Sequence, residues 1–182
     1  MIDSKLKEKL AEIKLLVLDV DGVLTDGKII LGNDGNEIKN FDVKDGLGML
    51  LLQKFGIKLA VITGKTSKIV ETRLMALGVK DVYQGQKNKL QAFHDLLAKY
   101  EFTPDEVAYM GDDLPDLAIM AKSLVTFAPS DAVAIVKSKV DYVTLSKGGQ
   151  GALREICDLI LDAKGLYQVV LQDFITFGEV RG

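Results

Sequence analysis

Cysteine and histidine are almost missing from this chain of 182 residues, which holds one of each, Cys157 and His94. A lone cysteine excludes an intrachain disulfide and a Cys-rich zinc site, and it fits a reducing compartment. A Ser or Cys triad, or a multi-histidine metal site, would have to be assembled around His94 alone. Excess positive charge is also lacking: the formal net charge is −3 and no polybasic run occurs, so nucleic acid is not an expected partner. No apolar run is long enough to span a bilayer, and the N-terminal MIDSKLKEKLAEIK is charged and amphipathic, unlike a signal peptide. A cytoplasmic protein without membrane contact is the expectation. Carboxylates and lysines are left to carry any chemistry.

With 48% hydrophobic and 27% charged residues, the composition is that of an ordinary globular protein, and the length suits a single domain over 1–182. Short apolar runs at 14–20 (KLLVLDV), 57–63 (IKLAVIT), 105–110 (DEVAYM), 124–128 (LVTFA) and 140–145 (VDYVTL) read as buried strands. Between them, helical spacing covers 46–55, 67–77, 89–100, 114–121, 131–137 and 151–163. This alternation predicts an α/β fold: a Rossmann-like parallel sheet with helices on both faces and ligands beyond the carboxyl ends of the strands. One segment differs, because strand-like runs at 28–31 and 37–41 flank Gly-Asn-Asp-Gly-Asn, which predicts a β-hairpin flap over about 27–41. No insertion is long enough for a cap domain, so the flap, the tail over 165–182 or a neighbouring subunit must shield a site.

The strand ends hold the candidate chemistry. Asp19-Val20-Asp21-Gly22 closes the first strand, and two such close carboxylates repel unless a cation lies nearby, although Asp and Gly are also ordinary turn residues. Thr63-Gly64 follows the second inner strand, where free backbone N–H groups favour an anion, or where Thr merely caps a helix. Asp112, Asp113 and Asp116 gather in Gly111-Asp112-Asp113-Leu114-Pro115-Asp116; alone they could simply open a helix. Hard oxygen ligands from few carboxylates suit Mg²⁺ better than zinc or calcium. Lys89 opens the next helix, with Lys87 as its rival.

These four motifs together resemble the haloacid dehalogenase superfamily. By that resemblance Asp19 matches the nucleophile that attacks phosphorus, Asp21 the general acid and base, and Thr63 and Lys89 the pair that holds the phosphate. Asp112 matches the later ligand of Mg²⁺, alongside Asp19 and Asp21 at the metal, while Gly64, Asp113 and Asp116 match supporting positions. The phosphoryl group in flight needs positioned positive charge, which Mg²⁺ and Lys89 would supply.

A wider set, DVDGVLT, the hairpin, FDVKDG, YQGQKNK, GDD and GGQGALRE, is similar to the capless branch that contains the 3-deoxy-D-manno-octulosonate 8-phosphate phosphatases. That similarity implies a sugar-acid phosphate substrate touched by Asp21, Asp42, Val43, Lys44, Asp45 and Gly46, with Lys65, Arg73 and Lys89 around its two anionic groups. It also implies a homo-oligomer, a ring of four in which neighbouring subunits help enclose each site. Many relatives carry Arg where this chain has Lys65, and a basic residue where it has Leu50. A nine-carbon sugar acid phosphate is therefore the alternative substrate, and a non-catalytic binding subunit the alternative of another class. Read locally, Asp45 could be a helix cap, and Lys65 and Arg73 surface charges. The stretch Lys147-Gly148-Gly149-Gln150-Gly151 lacks the spacing of a nucleotide loop and reads as a turn into the last main helix. The amphipathic tail is expected to dock on a partner subunit.

Overall fold

The computed structural model describes residues 2–181. Among these described residues, eight strands and eight α-helices follow one another as α1 (Ser4–Glu12), β1 (Leu15–Leu18), β2 (Ile30–Leu31), β3 (Glu37–Ile38), α2 (Val43–Lys54), β4 (Lys58–Ile62), α3 (Lys68–Ala76), β5 (Asp81–Tyr83) and α4 (Lys89–Tyr100), and then β6 (Val107–Met110), α5 (Leu117–Met120), β7 (Val125–Ala128), α6 (Ala134–Lys137), β8 (Tyr142–Val143), α7 (Ala152–Ala163) and α8 (Tyr167–Phe177). Six strands form one parallel sheet in the order β5-β4-β1-β6-β7-β8, while β2 and β3 pair antiparallel.

Strand β1 is the apolar run Leu-Leu-Val-Leu, and all four side chains are inaccessible to solvent. Its alternation sends Leu16 and Leu18 to one face and Leu15 and Val17 to the other. The first face packs on α1, α2, α3 and α7 through Leu10, Leu52, Leu74 and Ile156. The second packs on α4, α5 and α6 through Phe93, Leu96, Ile119 and Val136. Each buried Leu or Phe contributes roughly 1.5–3 kcal/mol by leaving water. The doubly covered parallel sheet of the sequence reading is thus present, and β1, β4 and β6 lie side by side at its centre.

Several boundaries differ from the periodicity. Strand β5 was not anticipated, because Asp81-Val82-Tyr83 is too short for a two-residue period to register. The segment 104–106 is a turn of 3₁₀ helix rather than strand, fixed by Pro104 and by Glu106 folding back onto Thr103. The helix expected over 114–121 starts instead as a 3₁₀ turn at Leu114–Asp116, with Pro115 inside it. Helix α6 holds only four of the seven residues expected over 131–137.

The hairpin is present, with Ile30 opposite Ile38 and Leu31 opposite Glu37, and a Thr25–Phe41 bridge at its base. Gly35 at φ +81° makes its turn. The tail forms α8, whose Val170 is buried while Phe174, Ile175 and Phe177 are exposed. No described helix is long and apolar enough to cross a membrane.

Candidate active site

Parallel strands end in loops that gather at one edge of the sheet, and β1, β4 and β6 deliver their polar residues there together. Asp19 follows β1, its N–H donating to the Met110 carbonyl at 3.0 Å, so its backbone stays in the sheet while its side chain leaves it. Lys89, the first residue of α4, reaches in from the side. Its Nζ lies 2.8 Å from Asp19 Oδ1 and 2.8 Å from Asp116 Oδ1, with all three side chains buried or nearly so. Burial alone would lower the Lys89 pKa, yet Asp19 and Asp116 outweigh it and hold it above the ordinary lysine value, so the group is an ammonium.

Asp116 is the hub of the loop after β6. Its Oδ1 also accepts from the Tyr109 hydroxyl at 2.6 Å, and its Oδ2 accepts from the backbone N–H groups of Asp112 and Asp113 at 3.0 and 3.2 Å. It is fully buried, and Gly111 beside it has no room for a side chain, since a Cβ there would lie 2.3 Å from the Asp116 carboxyl carbon. These bonds point Asp112 back toward Asp19. Carboxylate oxygens of Asp19, Asp112 and Asp116 all come within 4.8 Å of one another.

That arrangement costs free energy without a cation. Burial, then Asp116, push Asp19 up to about 6 against the pull of Lys89, and burial, then Asp19 and Asp116, push Asp112 up to about 7. Asp112 Oδ1 is buried without a hydrogen-bond partner, and no donor is aligned with Asp19 Oδ1 beyond the charge contact from Lys89. Unsatisfied buried carboxylate oxygens facing each other fit a hard divalent ion such as Mg²⁺.

Around them lies a cleft of about 530 Å³ lined by Asp19, Asp21, Thr63, Gly64, Lys65, Lys89, Asp112 and Asp113, with Gly27, Gln86, Lys87 and Pro115. Thr63 is buried, tied by its backbone to Tyr83 and Gln86, and Gly64 and Lys65 form the exposed turn after it. The rival Lys87 lines the rim and is exposed, whereas Lys89 sits at the bottom.

Asp21 stands apart from the three clustered carboxylates. Its Oδ1 meets Lys39 Nζ at 2.5 Å and its Oδ2 lies 4.0 Å from Lys65 Nζ. Beside Asp21, Gly22 at φ +91° lets the chain pass close to Asp112 of the carboxylate cluster; a Cβ there would lie 2.1 Å from Asp112 Oδ2. Gly148 backs the same loop, where a Cβ would lie 1.8 Å from the Gly22 carbonyl oxygen. The glycine-rich stretch is therefore a turn, as read, and also the floor under the Asp21 loop.

The remaining candidates lie outside this cleft in one chain. Asp42 caps α2 through the Lys44 N–H, and Val43 and Lys44 face solvent. Asp45 turns inward and accepts the Arg154 N–H at 2.7 Å, which makes it a cap for α7, with its Oδ2 buried and unpartnered. Gly46 gives way to Arg73, whose guanidinium lies over the Phe41 ring at 6.0 Å. Lys39, Glu37, Ser67 and Tyr109 are polar contacts of the site that the sequence reading did not single out. Lys39 and Glu37 look like alternating charges on a hairpin, and Tyr109 like one more strand residue.

The family model of haloacid dehalogenase-like hydrolases matches residues 52–156. The chain is 48% identical over 164 residues to the 3-deoxy-D-manno-octulosonate 8-phosphate phosphatase KdsC of Escherichia coli (strain B / BL21-DE3), covering 90% of this chain and 87% of that protein. Its fold is similar to the crystal structure of the Yersinia pestis phosphatase of the same name, with a TM-score of 0.89 and 45% identity over 91% of this chain and 89% of the other. It is also similar to the Moraxella catarrhalis phosphatase, solved with magnesium, phosphate and KDO, with a TM-score of 0.91 and 39% identity over 93% and 98% of the two chains. A buried aspartate–lysine–aspartate cluster at the edge of this sheet, in a chain this similar over nine-tenths of its length, belongs to the haloacid dehalogenase-like hydrolases, in the family of the 3-deoxy-D-manno-octulosonate 8-phosphate phosphatases.

Proposed function

We propose that this chain is a Mg²⁺-dependent phosphatase that releases phosphate from 3-deoxy-D-manno-octulosonate 8-phosphate, a step in making lipopolysaccharide precursor. The observation that carries the reading is the buried Asp19, held by Lys89 at 2.8 Å and facing Asp112 across a cleft open to solvent. Asp19 and Asp112 would hold the ion by their carboxylates, with Asp21 in the neighbouring position and Asp116 and Asp113 organising the loop. Bound there, Mg²⁺ supplies positive charge to the phosphoryl oxygens and relieves the repulsion among the carboxylates.

The chain's own groups divide the work. An Asp19 oxygen bonds to phosphorus as the bond from phosphorus to the sugar oxygen breaks, and Asp21 gives its proton to that departing oxygen. The Asp21 carboxylate then takes a proton from the water that attacks phosphorus, and the electron pair of the Asp19–phosphorus bond returns to Asp19. Lys89 and the Thr63–Gly64 turn hold the phosphoryl oxygens. Lys65, at the exposed rim of the cleft, would meet an anionic group of the sugar acid.

Asp42, Val43 and Lys44 at the start of α2, with Arg73, would act on substrate across a subunit boundary, in a tetramer, while the buried Asp45 and Gly46 would support that segment from within the chain. That assembly is supported by the exposed apolar stripe Val43, Leu47 and Leu50 on α2 and by Ile29, Leu31 and Ile38 on the hairpin. A cytoplasmic setting belongs to the same reading, in keeping with a single, buried, unpaired Cys157.

A phosphate-release assay with eight-carbon and nine-carbon sugar-acid phosphates, with Mg²⁺ and after its removal by chelator, tests the reading. Release should require Mg²⁺ and favour the eight-carbon ester. A preference for the nine-carbon ester overturns the substrate, and equal release without metal overturns the metal.

A further inference from the structure

We propose that Lys39 is a positioning residue for Asp21, reaching in from the hairpin to fix the carboxylate that moves the proton. The proposal rests on the acid and base role given to Asp21 above.

The hairpin is otherwise a solvent-facing ribbon: Ile29, Leu31 and Ile38 are each more than half exposed. Lys39 breaks that pattern, with a side chain only 2% exposed. Burying a lysine stem and ammonium costs side-chain entropy and solvation, so its partners must compensate. They are Asp21 Oδ1 at 2.5 Å and Glu37 Oε1 at 3.1 Å. Glu37 is held in turn, since its Oε2 accepts from the Ser67 hydroxyl at 2.8 Å, and the Ser67 N–H donates to Gln84 Oε1 at 2.7 Å.

The result is a relay from β3 to the segment that follows Thr63, Gly64 and Lys65, with the ammonium at its centre. An aspartate alone at a loop can turn about two bonds, whereas proton transfer needs it within hydrogen-bond reach of one oxygen. With Oδ1 committed to Lys39, the second oxygen is left for transfer. The flap thus holds one of the reacting groups in place.

Loss of that hold should show only where the leaving oxygen needs a proton. In kcat/KM, which covers the steps up to departure of the leaving group, phenyl phosphate needs the acid and 4-nitrophenyl phosphate needs it far less. These two esters share the phosphate and the ring and make no sugar contacts, and comparing variant with parent on each ester cancels the effect of the nitro group on binding. Lys39→Met should lower kcat/KM for phenyl phosphate about tenfold more than for 4-nitrophenyl phosphate, and Lys39→Arg should restore most of the difference. An equal loss on both esters would mean that Lys39 only orders the hairpin, and would overturn the proposal.

Asp21→Asn, run alongside, separates the two claims. If it does not discriminate between the esters, the acid role of Asp21 fails; if it discriminates and Lys39→Met does not, the role of Lys39 fails. Should Lys39→Met not fold, Glu37→Gln loosens the same relay while keeping its shape: discrimination in the same sense supports the proposal, and an equal loss overturns it.

Discussion

Asp45 separates the chemistry of a residue from its environment. Its position in FDVKDG marked it as a substrate contact by resemblance and as a helix cap by local reading, and in the single chain it caps α7 from α2. Burial, offset in part by the Arg154 N–H, moves its pKa from the ordinary 3.8 up to about 6. Between those values the folded chain keeps a proton that the unfolded chain has lost, so this contribution is full below pH 4 and is lost as the pH rises through 6. Asp45→Asn keeps the acceptor for Arg154 and removes the buried charge. It should be more stable than the parent by about 3 kcal/mol in urea unfolding at pH 7.5, with the difference vanishing below pH 4. A less stable variant at pH 7.5 would contradict this account of the carboxylate. The acidic residues were legible because five Asp gathered at two strand ends of one sheet are an unusual concentration. The partner of Asp21 was not, since a lysine on a short hairpin reads as solvated until the fold places it under the flap.

The helices and central strands were legible where apolar spacing is long and regular, as in β1, β4, α4 and α7, and the parallel order followed from their alternation. Short elements escaped. Asp81-Val82-Tyr83 carries too few residues for a period, and Asp81 is held by Lys99 at 2.5 Å from an element some eighteen residues on. The loop after β6 reads from its carboxylates as a metal-holding strand end leading into a helix at Leu114, and its form depends on Asp116 folding back onto two N–H groups, a contact that spacing alone does not reveal. The glycine-rich stretch before α7 was legible as a turn. Its second duty, letting Gly148 lie against Gly22, is a contact across the fold between distant segments.

At the scale of the molecule, the cleft is open in one chain, and of the residues given to sugar recognition by resemblance Asp21, Lys65 and Lys89 line it while residues 42–46 and Arg73 lie away from it. The flap and α2 both present apolar side chains to solvent, more than a single chain needs. If the proposed tetramer forms through the α2 stripe, Val43→Glu with Leu47→Glu should give smaller species in sedimentation velocity than the parent and reduce activity on the sugar-acid ester more than on 4-nitrophenyl phosphate. An unchanged sedimentation coefficient would mean that this stripe is not an interface.

The central claim is that phosphate passes through Asp19, and the most direct measurement is to catch it there. Enzyme, Mg²⁺ and 3-deoxy-D-manno-octulosonate 8-phosphate are mixed, quenched in acid within a turnover and reduced with borohydride, which converts an aspartyl phosphate to homoserine. Peptide mass spectrometry should then find homoserine at position 19, and none in Asp19→Asn. Homoserine at any other aspartate, or phosphate release with no trapped residue and full activity in Asp19→Asn, would contradict the account.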